Sequence, residues 1–95
     1  MNPTLQLNQI PIRIIQEQAL IIGPLAWDEA IKVSGLIIDQ SHTTASFSSE
    51  AKDVINRLVS RYERIFGKAS HAVCHDAVKD ILAQMPTEEV PSSLK

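Results

Sequence analysis

The chain has 95 residues, 44% of them hydrophobic and 21% charged, with a formal net charge of −2. These proportions fit one modest globular core and exclude disordered, collagen-like and fibrous classes. The small net charge also excludes a global field strong enough to draw nucleic acid or an anionic membrane to the whole surface.

Charge is uneven along the chain: residues 1–50 carry −3 and the remainder +1, so the one basic cluster lies in the second half. Cys74 is the sole cysteine, which forbids an internal disulfide or a four-cysteine zinc site and suits a reducing compartment. The first residues lack a basic and apolar leader pattern, and Arg13, Gln16, Glu17 and Gln18 interrupt the longest apolar region. A cytoplasmic protein without a membrane span is therefore expected.

Ile12, Ile15, Ala19 and Ile22 recur at helical steps while Arg13, Gln16 and Glu17 fall at other angles, which predicts a first helix over 11–22. Ile10, Ile12 and Ile14 also alternate as in a strand, but the length of the helical pattern outweighs them. Gly23-Pro24 ends this helix and opens a second, with Asp28 and Glu29 in its early turns. Ala26, Ala30 and Val33, with Trp27 and Ile31 beside them, form its apolar side, and Ser34-Gly35 stops it. Residues 36–38 then read as a short extended segment, either a strand or a plug for the core. Residues 40–49, rich in Ser and Thr, read as a loop.

Ser48 or Ser49 can cap a third helix that carries Ala51, Val54, Ile55, Leu58, Tyr62 and Ile65 at steps of one to four residues. Around Gly67 the apolar direction changes. Side chains up to Val73 centre on one bearing, whereas Cys74, Ala77, Val78, Ile81 and Met85 centre about 140° away. A break near Gly67 is thus predicted, with 68–70 as a connection and a fourth helix over 71–83. The alternative is one long rod whose second face is buried in a dimer, since an interior glycine costs only about 1 kcal/mol. Pro86 and Pro91 end the helical pattern, and 86–95 is expected to be a flexible tail. The predicted fold is all-α, a single domain over 1–95 built as a bundle of about four helices.

Two clusters of chemistry-bearing residues stand out. Arg57, Arg61, Arg64 and Lys68 recur at four, three and four residues, which sets them on one helical face suited to phosphates or an acidic partner. Local pairs such as Asp53 with Arg57 would make the same face merely solvated. His71, Cys74 and His75 are metal-ligand types on neighbouring parts of one turn, but a fourth ligand would have to come from His42 or a carboxylate. Cys74 also lies in the apolar register, where a free thiol behaves as a small hydrophobe.

Catalytic signatures are weak. Cys74, His75 and Asp76 are adjacent, so their side chains diverge by about 100° and cannot act as a triad. Asp28-Glu29 and Glu88-Glu89 read as surface pairs, the three glycines are too scattered for a phosphate loop, and Trp27 reads as core filler. No catalytic residue and no cofactor is expected. The expectation is a non-catalytic protein–protein interaction or regulatory module, a homodimer, with the arginine face as its partner surface. Nucleic-acid binding through that face is one alternative, and a small-molecule or metal sensor using His71, Cys74 or His75 is another.

Overall fold

A computed structural model describes residues 3–94. In chain order it contains α1 (Pro3–Ile22), α2 (Leu25–Ala30), β1 (Leu36–Ile38), β2 (Ala45–Phe47), α3 (Ala51–Phe66) and α4 (Lys68–Leu82). Two 3₁₀ turns, Thr87–Glu89 and Ser92–Leu94, follow. The helices pack together as a small all-α bundle, and the two strands form one antiparallel hairpin with Leu36 opposite Phe47 and Ile38 opposite Ala45.

α1 is the central helix and packs against α2, α3, α4 and β2. It begins eight residues earlier than the periodicity of 11–22 predicts and runs through Pro11. Leu7, Ile10, Pro11, Ile14, Ile15 and Gln18 are buried at i, i+3, i+4, i+7, i+8 and i+11, one apolar stripe that continues across the proline. Ile12 points to the other side and is buried too. Burial on two sides therefore produces the strand-like alternation of Ile10, Ile12 and Ile14 inside a helix.

Gln18 is the polar exception in that stripe. Its side chain is 1% exposed, and its Nε2 donates to the Ser70 carbonyl (3.1 Å) and the Cys74 sulfur (3.4 Å). Burial without those acceptors would cost about 1–3 kcal/mol. The bonds thus tie α1 to the first turns of α4 in one register.

α2 is shorter than expected. After Ala30 the amides of Lys32 and Val33 donate three residues back, to Glu29 and Ala30, so the chain tightens into turns before Gly35. Gly35 has φ +89, and a Cβ there would collide with the Ser49 hydroxyl and lie 2.8 Å from Val54 Cγ2. Only glycine satisfies both the left-handed backbone and the close approach to α3.

The predicted loop over 40–49 contains β2, which the Ser/Thr content had hidden. The connection between the strands is organised by Asp39, whose carboxylate accepts from the backbone amides of Thr43 (2.9 Å) and Thr44 (2.7 Å) and from the Ser41 hydroxyl. These donors, the Ser41 hydroxyl foremost, hold the Asp39 carboxyl well below the ordinary range. Short polar side chains here support the hairpin instead of replacing it.

The cap of α3 is Glu50, not Ser48 or Ser49: its carboxylate accepts from the Lys52 amide at 3.4 Å. α3 buries Val54, Ile55, Leu58, Val59 and Tyr62, while Ile65, predicted to share that face, is 44% exposed. The break at Gly67 is present and the single rod is not. Gly67 alone, at φ +92, separates α3 from α4, so the connection predicted over 68–70 is already helix. Cys74, Ala77, Val78, Ile81 and Met85 all face the core.

Residues 86–94, expected as a flexible tail, carry the two 3₁₀ turns, the second of which lies against α3. Leu94 is 1% exposed, and the Ser93 amide donates to Asn56 Oδ1 on α3 at 3.0 Å. Apolar Val90 and Leu94 supply what the run of polar residues obscured, a pair of anchors onto the bundle. No described helix is long and apolar enough to cross a membrane.

Candidate functional site

The arginine face of α3 survives folding, but its membership changes. Arg57, Arg61 and Arg64 line an open depression of about 400 Å³ together with Ser60 and Asn56. The opposite wall comes from the segment after α2, through Lys32, Val33 and Ser34. Lys68 does not join them: helix α4 starts there, and Lys68 lines a neighbouring depression with Arg64 and Gly67 instead. Lys32, thirty-six positions earlier in the sequence, takes its place as the fourth cation.

Glu29 controls two of these cations. Expected as a surface acid, it is in fact 8% exposed and sits between them. Its Oε2 accepts from Lys32 Nζ (3.1 Å), and its Oε1 accepts from Arg61 Nε (3.0 Å) and Nη2 (2.9 Å). The Lys32 and Arg61 hydrogen bonds, in that order of strength, hold the Glu29 carboxyl below its ordinary value. Glu29 therefore stays charged at neutral pH and fixes Arg61 against the wall.

Arg57 is fixed differently. Its Nη1 donates to the Ser34 carbonyl at 3.1 Å, across the depression, rather than pairing with Asp53 as local spacing suggests. The rest of its guanidinium is left facing solvent. Arg64 makes no hydrogen bond or ion pair among the described residues. Four cations thus surround a concave, solvent-open surface, with two exposed hydroxyls, Ser34 and Ser60, between them, and the buried Glu29 carboxylate holds two of the cations from outside the lining. Such a surface can bind an anion, and it holds no aromatic side chain on which a base could stack.

The histidine and cysteine turn behaves in the opposite way. Cys74 is fully buried, and burial pushes its thiol up to about 11, the Gln18 hydrogen bond offsetting part of the effect. His71 turns to Glu63, with Nδ1 3.2 Å from Oε2, and its Nε2 meets the Ser93 carbonyl. His75 is exposed beside Asp76. Folding points the three side chains in separate directions, and among the described residues no three His, Cys, Asp or Glu side chains converge as a metal site.

Trp27 is partly buried and packs on the core, as filler residues do, but one ring face carries a second contact. The His42 ring stacks on it with centroids 4.0 Å apart and 13° between planes. His42, held at φ +59 in the hairpin connection, is thereby committed to Trp27 rather than to the α4 histidines. Tyr62 is buried and donates to the Ala26 carbonyl at 2.6 Å, which fixes α2 against α3 and so sets the spacing of the two walls.

Sequence reasoning found three of the four cations because they share one helix. It missed Lys32 and Glu29, whose only signal was the i, i+3 acid–base spacing on a short helix. No known protein family, characterised protein or solved structure matches this chain.

Proposed function

We propose that this protein is a non-catalytic interaction module of the cytoplasm that docks an acidic segment of a partner protein against α3. One observation supports this reading above the others: Lys32, Arg57, Arg61 and Arg64 line a single depression that has no carboxylate among its described lining residues, Glu29 pairing with Lys32 and Arg61 from outside that lining. The remaining excess of positive charge lies on a chain whose net charge is −2, so it is local and directs a partner to one place. The exposed rim favours a polypeptide laid across it over a small molecule, which such an open surface would leave mostly in water.

Titration of a short fluorescein-labelled peptide with a few consecutive glutamates against the protein tests the reading. Saturable binding that weakens with added salt and is lost in an Arg57→Ala, Arg64→Ala double variant supports it. Absence of binding at low salt removes it. A single-stranded oligonucleotide of equal charge that binds more tightly would turn the same surface into a nucleic-acid site.

The proposal includes self-association through a separate region. Leu20 and Ile21 at the end of α1 are 80% and 64% exposed, and Leu25 at the start of α2 is 44% exposed. Side chains of this size exposed on both sides of the α1–α2 junction favour cover by a second copy. Light scattering at rising concentration should move from the 10.5 kDa chain mass toward twice that value, and Leu20→Glu should prevent it.

A further inference from the structure

We infer that the depression between α3 and the segment after α2 recognises a phosphate monoester, a phosphoserine or phosphothreonine on the partner protein. The inference rests on the acidic-partner reading and narrows it to one chemical group.

Donor count and placement lead to this group. Arg57, Ser60 and Arg64 stand at i, i+3 and i+7, so they form one stripe about 10 Å long on the exposed side of α3. Arg57 is held by its bond to the Ser34 carbonyl, which uses Nη1 and leaves its other N–H groups to meet an incoming oxygen. Arg64 has all its donors unengaged among the described residues. A phosphate seated over Ser60 would therefore meet guanidinium groups on two sides, a hydroxyl beneath, and Lys32 and Ser34 from the facing wall. Three terminal oxygens and a charge near −2 match that donor set, whereas a carboxylate brings two oxygens and half the charge.

Charge balance agrees. Glu29 answers one of the four cations, and of the local excess that remains a dianion offsets the larger part and a single carboxylate the smaller. The stripe is also short. Asp53 stands four residues before Arg57 on the same side of α3, and Glu50 caps the helix beyond it. A long polyanion following the stripe meets those acids, but one phosphorylated side chain does not. Val33 at the wall gives the stem of that side chain an apolar surface.

Glu29 supplies a readout that a merely structural role would not. In Glu29→Gln the amide oxygen can still accept from Arg61, but the internal counter-charge is gone, so anion affinity rises. The experiment is fluorescence anisotropy with a labelled nine-residue peptide carrying one phosphoserine between glutamates, beside two copies with glutamate or unmodified serine at that place. The phosphopeptide is expected to bind at least tenfold more tightly than the glutamate peptide. Arg64→Ala, which removes no bond among the described residues, should erase most of that difference, and Glu29→Gln should tighten phosphopeptide binding about threefold or more. Equal affinity for the phosphoserine and glutamate peptides overturns the inference while the acidic-partner reading stands. Failure of all three peptides to bind overturns both, and phosphopeptide binding unchanged in Arg64→Ala overturns the assigned site.

Discussion

Two helices of this bundle each carry three reactive or charged side chains that helical spacing brings to one face, and folding treats them in opposite ways. Arg57, Arg61 and Arg64 on α3 stay together around one depression, whereas His71, Cys74 and His75 on α4 are separated. The stripe on α3 flanks the buried face of Val54, Leu58 and Tyr62 without entering it, with Arg57 and Arg64 exposed and Arg61 half-buried at the edge, so packing leaves its members in one place. The turn on α4 straddles the boundary of burial: Cys74 belongs to the core, and the histidines on either side of it are drawn to different neighbours. Spacing alone makes a cluster only when every member is on the same side of that boundary.

The contrast can be broken most forcefully through the wall that faces the stripe. Gly35→Ala imposes a side chain where φ is +89 and where Ser49 and Val54 already stand, and it should cost about 3 kcal/mol or more in urea denaturation. A near-neutral result would mean that Lys32 and Ser34 are not held by this turn. The wall would then have no fixed distance from α3.

High pH probes the buried member of the other turn. The Cys74 thiol is raised from an ordinary value near 9 to about 11 on folding, and Tyr62 is raised as well. Below pH 9 both folded and unfolded thiols are protonated, so folding is unaffected; above it the unfolded chain ionises first and stability falls as pH rises. The loss attributable to Cys74 should reach about 1–3 kcal/mol by pH 11, and Cys74→Ala should flatten that part of the curve. A thiol reagent at pH 8 should label the native protein far more slowly than the denatured one. Equal rates would place Cys74 at the surface, next to its histidines.

The arginines themselves should differ in what their removal does to folding. Arg61→Ala strands the Glu29 carboxylate beside Lys32 alone and should lower the urea midpoint more than Arg64→Ala, whose effect should stay within about 0.5 kcal/mol. Reversal of that order would show that Arg64, not Arg61, is the structural cation. The smallest effect expected is none: zinc added at neutral pH should leave the melting temperature unchanged, and a rise abolished by His71→Ala would show that the α4 turn can close on a metal.

Much of the bundle was legible in the residues. The stripe on α3, the break at Gly67 and the core register of Cys74 to Met85 follow from periodicity, which depends only on the backbone's own pitch. The errors share a cause. At Pro11, and in the hairpin hidden by Thr43 and Thr44, local preference points one way and packing against a distant element points the other. Gln18 and Glu29 illustrate it best: both are polar in sequence, and both are buried because acceptors or donors arrive from helices dozens of residues away.

By itself, then, the sequence determined that helices form, roughly where they stop, and which side of α3 is basic, because each of these is a property of neighbours along the chain. Only tertiary structure decided that Lys32 and Ser34 face Arg57 and Arg64, that Glu29 claims Arg61, and that Cys74 leaves its histidines. Those outcomes depend on which apolar faces meet in the core, and the side chains that meet are fixed by the packing of α1, α2 and α3 together rather than by any one segment.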